Sequence, residues 1–290
     1  MVAAGLSVTG FPSAIATFID GNRAGWTSAQ TLGLLAGACV LLALFVEIEA
    51  RTPVPLVQLG LFRLRNLSVA NVVSVLWAAA MFAWFFLSAL YLQVILNYSP
   101  LQVGLTFLPS NLIMAAFSLG LSAKLVLRFG FRAPVAVGLL LAASGLALLA
   151  RAPVEGGFIA DVLPSMILLG VGAGMALNPV LLAAMSGVEE DKAGLASGIV
   201  NTSSMMGGAL GLAILASLAA SRSDALLGSG ADRLSSLAGG YHAAFLAAAV
   251  FAAVAAVLGA ALLRNGPGAA ADAGEGTAEE QRPLAEPVRR

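Results

Sequence analysis

GLSAKLVLRFGFR, Gly120 to Arg132, places three cations, Lys124, Arg128 and Arg132, between two long uncharged stretches. No Asp, Glu, Lys or Arg occurs from Asn66 to Ala123, and none from Ala133 to Ala150. Two apolar segments therefore meet at one basic segment, and the rest of the chain repeats that arrangement. Lys and Arg between apolar spans are retained on the cytoplasmic side of a membrane. The segment anchors both a topology and an orientation.

Composition supports the same conclusion. Hydrophobic residues make up 59% of the 290 and charged residues 10%, against roughly 25% charged in an average soluble protein. So few charges cannot cover a water-facing surface, so lipid is the solvent for most of the chain. The formal net charge is zero and no basic-aromatic block occurs, which excludes nucleic acid as a partner. One cysteine, Cys39, rules out an intrachain disulfide, and the single histidine, His242, has no second His or Cys to share a metal. No metal or other cofactor is expected.

A helix needs about 20 mostly apolar residues to cross ~30 Å of hydrocarbon. Eight segments qualify: 1–19, 29–49, 67–96, 103–123, 133–151, 158–183, 194–220 and 240–263. The first contains Pro12 and reads as a helix whose beginning is cut away. The second ends in Glu47, Glu49 and Arg51, followed by Pro53 and Pro55, which lack the backbone donor a continuing helix needs. A longer link carrying Arg222, Asp224, Asp232 and Arg233 is expected before the last span. After Arg264 the chain turns to Gly, Ala, Pro and Glu, too polar to offset the cost of ordering, and is expected to be disordered.

If the basic segment is cytoplasmic, that side holds Arg51, Arg63, Arg65, Lys124, Arg128, Arg132, Lys192 and Arg264. The other side holds Arg23, Arg151, Arg222 and Arg233. The excess orients the C-terminus inward.

Two sets of residues inside the spans carry information. Gly170 and Gly174, then Gly194, Gly198 and Gly208, recur at helical spacing and are expected to let helix backbones approach closely. Such faces either pack statically or slide during a conformational cycle. Asn71, Asn111, Asn178 and Asn201 each lie in a different apolar run. An unpaired amide in hydrocarbon is costly, so each either bonds a neighbouring helix or lines a cavity. Catalysis is not expected. AASG at Ser144 and LASG at Ser197 lack the first Gly of an intramembrane serine site, and no Asp or Glu stands in mid-span.

These residues resemble the major facilitator superfamily, in its fourteen-helix drug:proton antiporter branch. Gly120, Arg128, Gly130 and Arg132 match that superfamily's cytoplasmic signature loop, with Lys124 where the signature has an acid. PLVQLGLFRLRN (55–66) is similar to the linker before the C-terminal six-helix half. LQVGLTFLPSN (101–111) and AGLASGIVNTSSMMGGALGLAI (193–214) resemble two further family stretches. The resemblance implies an all-α, polytopic membrane protein of about eight transmembrane helices. Residues 1–49 are then two middle helices, 50–66 a cytoplasmic linker, 67–264 one six-helix half-bundle and 265–290 a cytoplasmic tail. It further implies the C-terminal part of a proton-coupled efflux permease in a bacterial inner membrane, not competent alone. Its partners are the lipid bilayer, an amphipathic small-molecule substrate and an absent N-terminal transporter half. The four asparagines would line or brace the substrate cavity. The alternative is a non-transporting membrane protein, either a helix-packing partner or the remnant of a broken transporter gene.

Overall fold

The computed structural model describes residues 59–264, together with scattered helical positions between Gly33 and Arg51. The expectations for residues 1–19, Cys39, the linker before Leu59 and the tail 265–290 lie outside the described residues, as does most of 29–49. Every regular element among the described residues is helical, and six helices are long and apolar enough to cross a membrane. They run Arg65–Ile95, Pro100–Phe129, Arg132–Leu149, Phe158–Met185, Glu190–Gly228 and Arg233–Leu262. Each overlaps one of the last six spans expected from hydropathy.

Their α-helical parts are α1 (Arg65–Leu90), α2 (Pro100–Ala116), α3 (Ser122–Phe129), α4 (Arg132–Leu149), α5 (Leu163–Met185), α6 (Ala193–Gly228) and α7 (Arg233–Leu262). Single π-helical turns follow α1 (Tyr91–Ile95), join α2 to α3 (Phe117–Leu121) and precede α5 (Phe158–Val162). A π turn costs helix regularity and is frequent at functional places.

Two expectations about connections are corrected. The basic segment is mostly helix. On α3, Ser122 and Val126 face inward while Lys124 and Arg128, four apart, face outward. The turn itself is Gly130–Phe131, where Gly130 takes φ 70°, a backbone conformation open to glycine at little cost. The link after the seventh span is also shorter than expected. α6 continues through Arg222 and Asp224 to Gly228, leaving only Ser229 to Asp232 before α7. Charge marks where a helix leaves the membrane, but an Ala- and Leu-rich run without Pro or internal Gly keeps the helix going. At 36 residues, α6 is about 54 Å long, longer than the hydrocarbon is thick.

The helices pack unequally. α1 lies against α5, α6 and α7; α4 fills the space between α5 and α7. Trp84, Tyr91 and Phe245 are the largest fully buried side chains. α2 and α3 form the outlying span, held chiefly by α5 and by Phe107, whose ring lies 5.4 Å from Phe85 and 6.4 Å from Trp84. Only 11% of the apolar window in that span is buried, against 50–56% for the spans containing α1, α4 and α5. Burial here reflects helix–helix packing, because lipid is as apolar as leucine and supplies no hydrophobic drive.

Glycines make the close approaches. A methyl group on Gly172 would lie 2.5 Å from the Gly138 carbonyl oxygen, across α4 and α5. One on Gly170 would lie 2.6 Å from the Ser110 carbonyl oxygen, and one on Gly174 would lie 2.6 Å from Phe117 Cβ, both between α5 and the second span. Gly207, Gly208 and Gly211 of α6 lie against Val75, Phe82 and Ala79 of α1.

The two ends of the bundle are tied differently. At the end carrying Arg65 and Arg132, the last carbonyls of α7 have no partner within their own helix. Arg65 Nε donates to Leu262 O (3.0 Å) and Arg132 Nε to Ala260 O (2.8 Å). Asn66 exchanges two hydrogen bonds with the Arg264 backbone (2.9 and 3.0 Å). At the opposite end Tyr91 donates to Pro153 O and His242 Nε2 to Ala152 O, both at 2.8 Å. His242 thus holds a loop to α7.

Candidate functional site

Between α5 and α6, floored by α1, lies a cleft of about 610 Å³. α5 and α6 touch little, so their facing surfaces stay open where α1 spans the gap. The walls come from Ser74 to Phe82 of α1, Leu177 to Leu181 of α5 and Gly194 to Met205 of α6. These positions fall late in α5 and early in α6, in the half of the bundle nearer Arg65 and Arg132. A volume of this order suits a drug-sized ligand, for which sites run roughly 300–1,000 Å³.

The chemistry of the walls is mixed but uncharged. Trp77, Met81, Phe82 and Met205 present rings and thioethers; Ser74, Asn178, Ser197, Asn201 and Ser204 present hydroxyls and amides. None of the lining residues is Asp, Glu, Lys, Arg or His.

Asn178 and Asn201 both stand in this cleft, on opposite walls. Asn178 also reaches the π turn of the second span, its Nδ2 donating to Ser118 O (2.8 Å) and to Ser118 Oγ (3.0 Å). The two roles weighed for an intramembrane asparagine coexist in one side chain. Pro179 follows it inside α5 and cannot donate a backbone hydrogen bond. Asn71 lies one turn before Ser74 on α1; it is not among the walls, and its Oδ1 is buried without a partner. Asn111, on α2, is not among the walls either.

The glycines divide as well. Gly170, Gly174 and Gly208 sit against another helix, with no room for a side chain. Gly194 and Gly198 have nothing within 4 Å of where a Cβ would stand, and both line the cleft. Gly120 is likewise open. Of the basic segment, Arg132 reaches α7, whereas the Arg128 guanidinium lies 5.3 Å over the ring of its neighbour Phe129. Lys124 is exposed.

Sequence reasoning named none of Trp77, Met81, Phe82, Ser197 and Ser204 as a lining residue. Gly194, Ser197, Gly198, Asn201, Ser204 and Met205 recur at intervals of three and four, so one small, weakly polar face of α6 was readable. The aromatic wall gave no such signal, because α1 is apolar all round.

A bundle of apolar helices enclosing an uncharged, partly polar cleft defines an α-helical, multi-pass membrane protein. The chain belongs to the Major Facilitator Superfamily, which it matches over residues 1–212. It is 34% identical over 204 residues to the multidrug resistance protein Stp of Mycobacterium tuberculosis, covering 70% of this chain and 37% of that protein. It is also 34% identical over 236 residues to the cephamycin export protein CmcT of Amycolatopsis lactamdurans, covering 81% and 47%. With the tetracenomycin C resistance and export protein of Streptomyces glaucescens it shares 33% over 198 residues, covering 68% and 36%. The chain thus spans less than half the length of these curated relatives.

Proposed function

We propose that the chain forms one wall of the substrate path of an efflux permease for small organic molecules. In this reading it sits in a bacterial inner membrane with its C-terminus in the cytoplasm, an orientation that the excess of Lys and Arg on that side supports. The observation that carries this reading is the uncharged cleft of about 610 Å³ lined by Asn178 and Asn201. Transporters of this architecture hold substrate between two pseudo-symmetric bundles near the midplane, so a second six-helix bundle supplies the facing wall. Asn71 and Asn111 stand outside these walls, on α1 and α2.

Proton coupling is assigned to that second bundle. Coupling needs a group that binds and releases a proton at membrane depth, usually a carboxylate or histidine. Among the described residues Asp161 stands in the first turn of its span, Glu190 and Asp191 begin another, and Asp224 lies close to the end of α6. The chain acts in transport, not catalysis, and is not competent by itself.

Joining residues 59–264 to the N-terminal half of a related exporter tests the reading. The fusion should export dye from a drug-sensitive bacterium, and Asn201→Trp, which fills the cleft, should abolish export at equal membrane levels. Unchanged export in that variant would remove the cleft from the substrate path. The 290-residue chain alone in liposomes should move no substrate under a pH gradient, and uptake abolished by a protonophore would overturn the two-bundle requirement.

A further inference from the structure

The side chain of Asn178 is used in a way that restricts what the cleft can recognise. The Ser118 carbonyl oxygen can only accept a hydrogen bond, so the amide nitrogen of Asn178, not its oxygen, must face it. That nitrogen also lies 3.0 Å from Ser118 Oγ. Both donations go to one residue of a neighbouring span, and Oδ1 takes no part in either. Asn178 therefore enters the cleft as an acceptor. An amide that is free to rotate serves donor and acceptor ligands alike; this one is pinned by the span it holds.

The remaining wall adds two conditions. With no ionisable side chain among the lining residues, a charged group placed against them would lose its hydration without gaining a counter-charge. Trp77 and Phe82 on α1, with Met81 between them and Met205 opposite, give flat and polarisable surfaces. Phe82 is fixed in place, since Gly208 leaves room for its ring against α6.

We infer that the cleft takes a ring-bearing ligand whose part against this wall is uncharged and donates a hydrogen bond, from O–H or N–H, to Asn178 Oδ1. This rests on the reading of the cleft as a substrate site and narrows its substrate class. It makes Asn178 a specificity-determining residue, with Ser118 as the group that fixes its orientation.

The test uses the full chain in lipid nanodiscs and three probes of one ring system. These are 1-hydroxypyrene, at a pH where its phenol is neutral, its methyl ether 1-methoxypyrene, and the permanently cationic pyrenyl-trimethylammonium. The saturable part of tryptophan quenching separates site binding from partition into lipid. Hydroxypyrene should saturate, and methoxypyrene should bind about three- to tenfold more weakly, the worth of one hydrogen bond. The cation should bind most weakly. Asn178→Leu should erase the difference between phenol and ether. If Asn178→Leu fails to fold, the probe series on the unaltered chain still decides. Equal saturation by phenol and ether would overturn the donor requirement, and tight binding of the cation would overturn the charge requirement. Either result leaves the cleft a substrate site. No saturable binding by any probe would remove the cleft as a binding site of this chain, and this inference with it, while the dye-export fusion decides the wall-of-a-path reading separately.

Discussion

Two stretches of α6 carry the same glycine spacing and meet opposite surroundings. Gly207, Gly208 and Gly211 are buried against α1, and a methyl group on Gly211 would collide with Ala79. Gly194 and Gly198, three to four turns earlier, are exposed and face the cleft. Near Gly211 the missing side chain lets two backbones approach; near Gly198 it leaves room that no protein atom fills. Spacing decides which face a residue shares, and the neighbouring helix decides what that face does. The same contrast separates other like pairs in this chain, so each can be used to test it.

The largest effect is expected at the packed end. Gly211→Leu should force α1 and α6 apart and destabilise the bundle by about 3 kcal/mol, the upper part of the usual range for overpacking. Thermal loss of the monodisperse peak in detergent would register it. A melt unchanged from the parent would show that the α1–α6 seam yields freely, and the contrast within α6 would then be lost.

A second pair is Arg132 and Arg128, four residues apart in one basic segment. Arg132 donates to the Ala260 carbonyl at the C-terminal end of α7, while Arg128 lies over Phe129 on its own helix. Sequence alone placed both in one cytoplasmic signature loop. Arg132→Ala should cost about 1 kcal/mol, the scale of a cation at a helix C-terminus, and Arg128→Ala close to nothing. Equal losses would mean that headgroups, not α7, hold these cations.

Asp232 and Asp224 form a third pair. Asp232 caps α7, its Oδ2 accepting from the Ser235 N–H at 3.0 Å. Hydrogen bonds from Ser235, from its side chain first and then from that backbone N–H, hold the carboxyl below its ordinary value of 3.8. A carboxyl lowered in the folded state adds stability that is fully present above its unfolded value and disappears as pH falls through the folded one. The capping contribution should therefore persist at neutral pH and fade only below 3.8. Asp232→Asn keeps a capping oxygen and should remove that acid-range component from the melt; Asp224, inside α6, caps no helix. An unaltered acid profile in Asp232→Asn would place the titrating group elsewhere.

These pairs also show what was legible in the sequence. Hydropathy placed the last six spans because a membrane helix must be apolar along its whole length, whatever it packs on. That uniformity hid the rest. α1 carries no polar stripe to mark which face meets α6 and which meets the cleft, so Trp77 and Phe82 gave no sign of their place. The exposure of α2 was hidden for the same reason, since lipid-facing and protein-facing leucines look alike. The charges after Ala220 were read as a link because they end the apolar run, although helix propensity carries α6 on to Gly228. The asparagines stood out, being costly in hydrocarbon, but the choice between bonding and lining was undecidable without Ser118. Asn178 does both.

The smallest effect on stability, and of opposite sign, is expected at Gly198. A methyl group there meets no atom within 4 Å, so Gly198→Ala should not strain the bundle. Alanine also loses less backbone freedom than glycine on entering a helix, a gain of about 0.5–1 kcal/mol in an exposed interior position. The melt should hold or rise slightly, whereas the same change at Gly211 should lower it. The added methyl instead projects into the cleft between α5 and α6, so saturable binding of hydroxypyrene should weaken while folding does not. Paired loss of stability and binding would mean that α5 and α6 close on each other in the folded protein. Binding lost with stability retained would show that the two glycine sets of one helix serve different ends.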